Sequence, residues 1–310
     1  MKDKFVNNVN LRGYVFNQSL RQGNNDNGNY VFGTVNIATD NDAVNVIPVS
    51  FFANELYRSG KPNATYDNLI QIMNSKTFEE VGKDGALRVR VQGSVETNDF
   101  YNREGNLVSG KRVRGSFVHF LNSNEEIGAF PATFETDMLI MNAAMQEPEN
   151  RDPYMSLQGF VFNYRGDVQP VSFTAVSPSG IQFFENEDIS KSNPYFGKVW
   201  GNIESNIVVS QNEEDDENVG FGTPTVHETT RTFRNWNVTG ANKNLGMDDD
   251  TVTKSELSSK IAEREARLAE LKSRQDSRNS SGDTGFPSVK SQPSTADVIK
   301  GNVDFSTYKF

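Results

Sequence analysis

Apolar and polar positions alternate along most of the first third of the chain, a period of two that marks β-strands. Leu11 to Leu20, Tyr30 to Ala38, Val44 to Phe52, Leu87 to Val95 and Arg112 to Leu121 each carry the pattern. Polar, glycine-bearing or Asx-rich stretches separate them, among them residues 21–28 and Thr39-Asp40-Asn41-Asp42. One segment has a helical period instead. Tyr66, Leu69, Ile70 and Met73 fall one turn apart, with Asn63 or Thr65 placed to cap the helix start. Three strands, a helix and two strands is the order of the OB-fold, a partly open five-stranded barrel, although SH3-like barrels read similarly.

Two motifs recur later in the chain. NLRGYVFN at 10–17 returns as SLQGFVFN at 156–163 with five of eight residues identical. RVQGSVETN at 90–98 returns as KVWGNIESN at 198–206 with four identical and three conservative changes. Placed on the first and fourth strands, they imply a second barrel that has lost loop and helix material. The expected fold class is therefore all-β: two OB-type five-stranded barrels, the second shortened, followed by a short helix and a disordered tail. Residues 1–122 form the first barrel, 123–150 a linker, 151–240 the second barrel, and 241–310 the C-terminal helix and flexible tail.

Lys254 to Arg274 is rich in Ala, Glu, Lys and Arg, with Leu257, Ile261, Leu268 and Leu271 at heptad-like spacing and Arg264 in the remaining position. This pattern fits either a coiled-coil stub or a solvated helix lying on a barrel. Residues 275–294 have a disordered composition. The aromatic and acidic residues beyond them, Asp297, Asp304, Phe305, Tyr308 and Phe310, are candidates to compete for a binding groove or to dock a partner.

Composition removes several chemistries. There is no cysteine, so disulfides, thiolate nucleophiles and cysteine zinc sites are excluded, and two histidines make a histidine metal site a poor fit. No phosphate-cradling Gly-Lys-Ser/Thr loop is present, since Gly82-Lys83-Asp84-Gly85 lacks the spacing. The expectation is a non-enzymatic protein without cofactor or metal. The start lacks an apolar signal region and no stretch approaches a membrane span, which points to a cytoplasmic protein with no membrane partner.

The net charge of −10 is unevenly spread. Residues 1–122 carry 14 Lys and Arg against 12 Asp and Glu, whereas residues 123–240 carry 6 against 18. The acidic run 213–217 reads as a solvated loop between strands of the second barrel. Only the first barrel has the local basic character that phosphate binding needs.

Side chains alternate sides along a strand, so each strand sorts into two faces. In the first barrel the aliphatics gather on one side, with Val113 and Phe117 among them on the last strand. Arg12, Tyr14, Phe16, Tyr30, Phe32, Arg88, Arg90, Arg112 and Arg114 gather on the other. The positions of Val118 and Phe120 require a bulge. Rings that stack on any base, beside cations that neutralise phosphates, suit a single strand of nucleic acid. In the second barrel the same side presents Phe160, Phe162, Tyr164, Lys198 and Trp200, with Arg234 and Trp236 joining from its last strand.

The segment LRVRVQGSVETNDFYNREGNLVSGKRVRGSFV at 87–118 resembles the bacterial and phage single-stranded DNA-binding proteins: a basic strand with a Gly, a G-x-V-E-T segment, an aromatic hairpin with an acidic-Gly turn, then a basic strand. GTVNIATDND at 33–42 and VIPVSFFANE at 46–55 resemble that family's second and third strands. The resemblance implies an OB-fold that coats single-stranded DNA during replication, recombination or repair. By position it implies contacts from Arg12, Tyr14, Phe32, Arg88, Arg90, Phe100, Tyr101, Arg112 and Arg114, to which Lys111 is added. A second barrel in one chain departs from the bacterial pattern and points to a phage or plasmid type, acting in the host cytoplasm if phage-encoded. The end Tyr308-Lys309-Phe310 lacks the family's acidic tip, which puts tail recruitment of replication or recombination proteins in doubt. A homo-oligomer is compatible with these features. The rival readings are a virion-type structural or assembly protein and an RNA-binding protein.

Overall fold

The computed structural model describes residues 5–26, 28–102, 104–122, 125–128, 131–148, 152–213 and 226–280, with backbone alone at 205–213, 226–234 and 278–280. Its first unit contains β1 (Asn7–Gln18), β2 (Arg21–Asn25), β3 (Gly28–Ala38), β4 (Val46–Asn54), α1 (Ala64–Met73), α2 (Phe78–Val81), β5 (Arg88–Tyr101) and β6 (Leu107–Phe120). β1 pairs antiparallel with β3 and β5, β3 with β4, and β5 with β6. A short parallel contact, Val49–Val113 and Ser50–Arg114, joins β4 to β6 and closes the wall. That is OB connectivity, with β2 an added hairpin arm on β3.

The alternation read from the sequence is the barrel's inside and outside. Leu11, Val35, Ile37, Val49, Val89, Val91 and Val95 are fully buried in the lumen. α1 plugs one end with Tyr66, Leu69 and Ile72. It starts where Asn63 accepts a hydrogen bond from the Thr65 amide, a standard N-cap.

The second unit repeats this order: β7 (Ala132–Gln146), β8 (Tyr154–Phe162), β9 (Val168–Ala175), α3 (Pro178–Asn186), β10 (Tyr195–Glu213) and β11 (Val226–Ala241). β7 pairs with β8 and β10, β8 with β9, and β10 with β11, while Asn237 and Thr174 make the parallel closure of β11 on β9. The protein is thus all-β, two OB-type five-stranded barrels followed by a helix. Three expectations about the second barrel change. Its first strand is β7, inside the stretch read as linker, and SLQGFVFN is the second strand. The barrel also keeps its helix, since α3 is nine residues long against ten for α1 and starts with a Ser177 cap and Pro178.

The other repeat holds at the level of backbone geometry. Gly93 of β5 and Gly201 of β10 both sit at bulges, where the extra residues opposite are Ser116 and Thr239. A Cβ on either glycine would fall within 2.2 Å of the Arg114 carbonyl or 1.8 Å of the Asn237 carbonyl. Only glycine allows the strands to approach so closely.

The two barrels are halves of one sheet. The first part of β1 pairs antiparallel with β7, from Asn7–Thr136 to Leu11–Ala132. The row Gly93–Val9–Phe134–Gly201 runs across β5, β1, β7 and β10, and its two halves are alike, which gives the pair an approximate two-fold relation.

α4 (Lys254–Ser280) settles the reading of the C-terminal helix in favour of a helix lying on a barrel. Thr253 and Glu256 form a capping box at its start. Leu257 and Ile261 pack into a second core with Leu139, Met141, Phe160, Phe162 and Phe196, and Leu268 is buried farther along. Residues 275–280, expected to be disordered, are its last turns. The remainder of that segment and the aromatic terminus lie outside the described residues, as does the acidic run apart from the backbone of Glu213. No helix among the described residues is long and apolar enough to cross a membrane.

Candidate nucleic-acid interface

The outer face of β3 and β4 carries a cluster of three rings, two of them exposed. Tyr30 and Phe52 are stacked with centroids 5.4 Å apart, and Tyr30 lies 5.8 Å from Phe32. Phe32 and Phe52 face each other across the ladder and keep 39% and 46% of their surface exposed. Tyr30 lies over Gly23 of β2, where a Cβ would stand 2.4 Å from the ring, so the glycine is the seat of the tyrosine.

Cations border this group. Arg21 is directly across β2–β3 from Phe32, and Arg114 is across the β4–β6 contact from Ser50, two residues before Phe52. On the far side of β6, Arg90 of β5 pairs with Arg12 of β1. Among the described residues no carboxylate lies within ion-pairing distance of Arg21, Arg90 or Arg114.

The bulge inferred near Val118 exists, and it turns Phe117 outward rather than inward. Val118 is buried and Phe117 is 46% exposed, across β5–β6 from Gln92. Phe52 and Arg21 were not singled out from the sequence either. The alternation of Val49, Phe51 and Ala53 inside the barrel places Phe52 outside and was sufficient to find it.

Other expected contacts are engaged elsewhere. Tyr14 is buried, with its ring 5.6 Å from Phe78 and its hydroxyl donating to Asn41, and Phe16 also packs on Phe78. The short helix α2 covers both. Arg88 donates to the backbone carbonyls of Asn122 and Glu125, and Arg12 to that of Glu126, so these two hold the chain that connects the barrels. Arg112 pairs with Glu96 at 3.3 Å and donates to Asn98. Lys111 turns toward the second barrel, donates to the Ser172 carbonyl and lies over the rings of Phe173 and Trp236. Phe100 is exposed at the β5–β6 hairpin, and Lys272 of α4 lies 5.9 Å over Tyr101.

In the second barrel the expected ring face is largely internal. Phe160 and Phe162 are buried beneath α4, and Phe5 stacks on Phe162 at 4.2 Å. Trp236 is 3% exposed and stacks on Phe173. The side chain of Arg234 is outside the described set. Trp200 remains open at 39%, laid over Gly240. Beside it Lys198 pairs with Glu135 at 2.5 Å, a hydrogen bond that holds the lysine above its usual pKa. Among the described residues, no group of three His, Cys, Asp or Glu could hold a metal.

Fold and site together define a tandem OB-barrel protein whose first barrel carries an open wall of rings and arginines. The chain belongs to the YorF family, whose model matches residues 6–274. It is also similar to two crystal structures of the single-stranded DNA binding protein from Thermus aquaticus. The wild-type form has 11% identity and a TM-score of 0.48, covering 79% of this chain and 96% of that one. A deletion mutant has 11% identity and a TM-score of 0.47, covering 79% and 97%. None of the curated proteins compared with the chain matches it.

Proposed function

We propose that this protein binds and protects single-stranded DNA, with little sequence preference, on the outer face of β3, β4 and β6. The observation that carries the reading is the pair of exposed rings Phe32 and Phe52 with the half-buried Tyr30 packed against both, bordered by Arg21 and Arg114. An exposed ring gains about 1–3 kcal/mol for each base that stacks on it, and every base offers a face. In a duplex the bases are already stacked on each other and shielded by two backbones, so the rings favour a single strand. Phe117, exposed on β6, offers a further ring, and Arg90 on the neighbouring β5 a further cation. Strands of this kind are exposed in replication, recombination and repair, the setting we assign to it.

Fluorescence anisotropy with labelled oligo-dT, oligo-rU and duplex DNA tests the reading. Tight, salt-sensitive binding of oligo-dT and much weaker binding of duplex are expected. Equal affinity for oligo-dT and duplex would overturn it, and preference for oligo-rU would reassign the substrate to RNA.

A further inference from the structure

Resting on that reading, we infer that a strand held by the first barrel continues across the β1–β7 junction and stacks on Trp200, so that both barrels form one track. Residues paired in register on neighbouring strands point to the same side of a sheet. Gln92, Asn10, Thr133 and Asn202 follow one another across β5, β1, β7 and β10. Asn8, Glu135 and Trp200 form the adjacent row. Val9, Phe134 and Val199 are buried on the opposite side, so the outer face of one barrel passes into the outer face of the other without a break.

The position of Trp200 has a counterpart in the first barrel. At the β5–β6 bulge Gln92 pairs with Phe117, and at the matching β10–β11 bulge Trp200 pairs with Gly240. Each barrel therefore presents one exposed ring at its bulge, on the last strand in one case and the fourth in the other. Trp200 is fixed in place by its glycine seat, as Tyr30 is on Gly23 at the other end.

The junction is passable to a polyanion. Asn8 and Asn10 are exposed and uncharged, and the carboxylate on the rows, Glu135, is neutralised by Lys198. Glu204, exposed two residues beyond Asn202, bounds the track on that side. From Phe52 on β4 to Trp200 on β10 is five strand spacings, about 24 Å along the sheet.

The protein's two tryptophans make the test direct. Trp236 is buried, so a change of emission on binding reports Trp200. The full chain is titrated with fluorescein-labelled oligo-dT of about 30 nucleotides, beyond the ~4–16 of a single OB-fold, while anisotropy and tryptophan emission are followed in parallel. Binding accompanied by quenching is expected. Trp200→Ala should weaken binding of this oligonucleotide by about 5- to 150-fold, the equivalent of one stacked base. Binding with unchanged emission would overturn the shared track and leave the first-barrel reading in place. No binding at all would overturn both.

Discussion

The Arg264 Nη2 of α4 lies 2.7 Å from both carboxylate oxygens of Asp99 on β5, joining the C-terminal helix to the hairpin of the first barrel. Both side chains are mostly buried, and Asp99 also accepts from Ser109 Oγ. Farther along, Gln275 donates to the carbonyls of Tyr101 and Asn102. The helix that caps the second barrel thus braces the β5–β6 hairpin that displays Phe100.

Removing either partner of this pair leaves a charge in a poorly solvated place. Arg264→Ala is expected to destabilise the protein by about 2 kcal/mol, between the ~0–1 of exposed pairs and the ~3–5 of buried ones. Urea denaturation measures it. The double variant with Asp99→Ala should cost less than the sum of the two single changes.

Phe32→Ala and Phe52→Ala should each weaken oligo-dT binding by about 5- to 150-fold, the loss of one stacked base. Both rings are already partly in water, so their melting temperatures should stay close to that of the unaltered protein. Anisotropy and thermal denaturation on the same samples separate the two effects.

Arg90→Gln and Arg114→Gln should flatten the salt dependence of binding. Each phosphate no longer neutralised removes about 0.7 from the slope of log affinity against log salt. Titrations at several NaCl concentrations give that slope, and an unchanged value would remove the arginine concerned from the phosphate path.

Phe160→Ala and Phe162→Ala should behave in the opposite way to the first-barrel rings. Both are fully enclosed, and each truncation is expected to cost about 3–5 kcal/mol of stability by leaving a cavity. Chemical denaturation detects this, while oligo-dT affinity of the folded fraction should hold.

The first barrel was legible because each wall strand has a wet and a dry side. Val31, Val35 and Ile37 against Tyr30, Phe32 and Asn36 is a pattern that a half-buried strand must show. β7 was missed because it breaks that rule: Met138, Leu139, Ile140 and Met141 are all buried, two facing the barrel and two facing α4. A strand covered on both sides has no alternation to read. The same covering buries Phe160, Val161 and Phe162 together, so rings that scored as a binding face are packing. Phe117 escaped for a different reason, since a single bulge residue, Ser116, shifts every later side chain on β6 to the other face.

The covering of β7 and β8 by α4 also has a consequence for the order of synthesis. Ribosomes deliver the strands before the helix, and domains begin to fold as they emerge. Until residues 254–268 are delivered, Leu139, Phe160, Phe162 and Phe196 present a bare greasy wall to the surrounding water. A nascent or truncated chain ending near residue 240 exposes that wall permanently, and large contiguous apolar patches lead to aggregation. A fragment meant to isolate the second barrel therefore remains soluble only if it carries the helix with it.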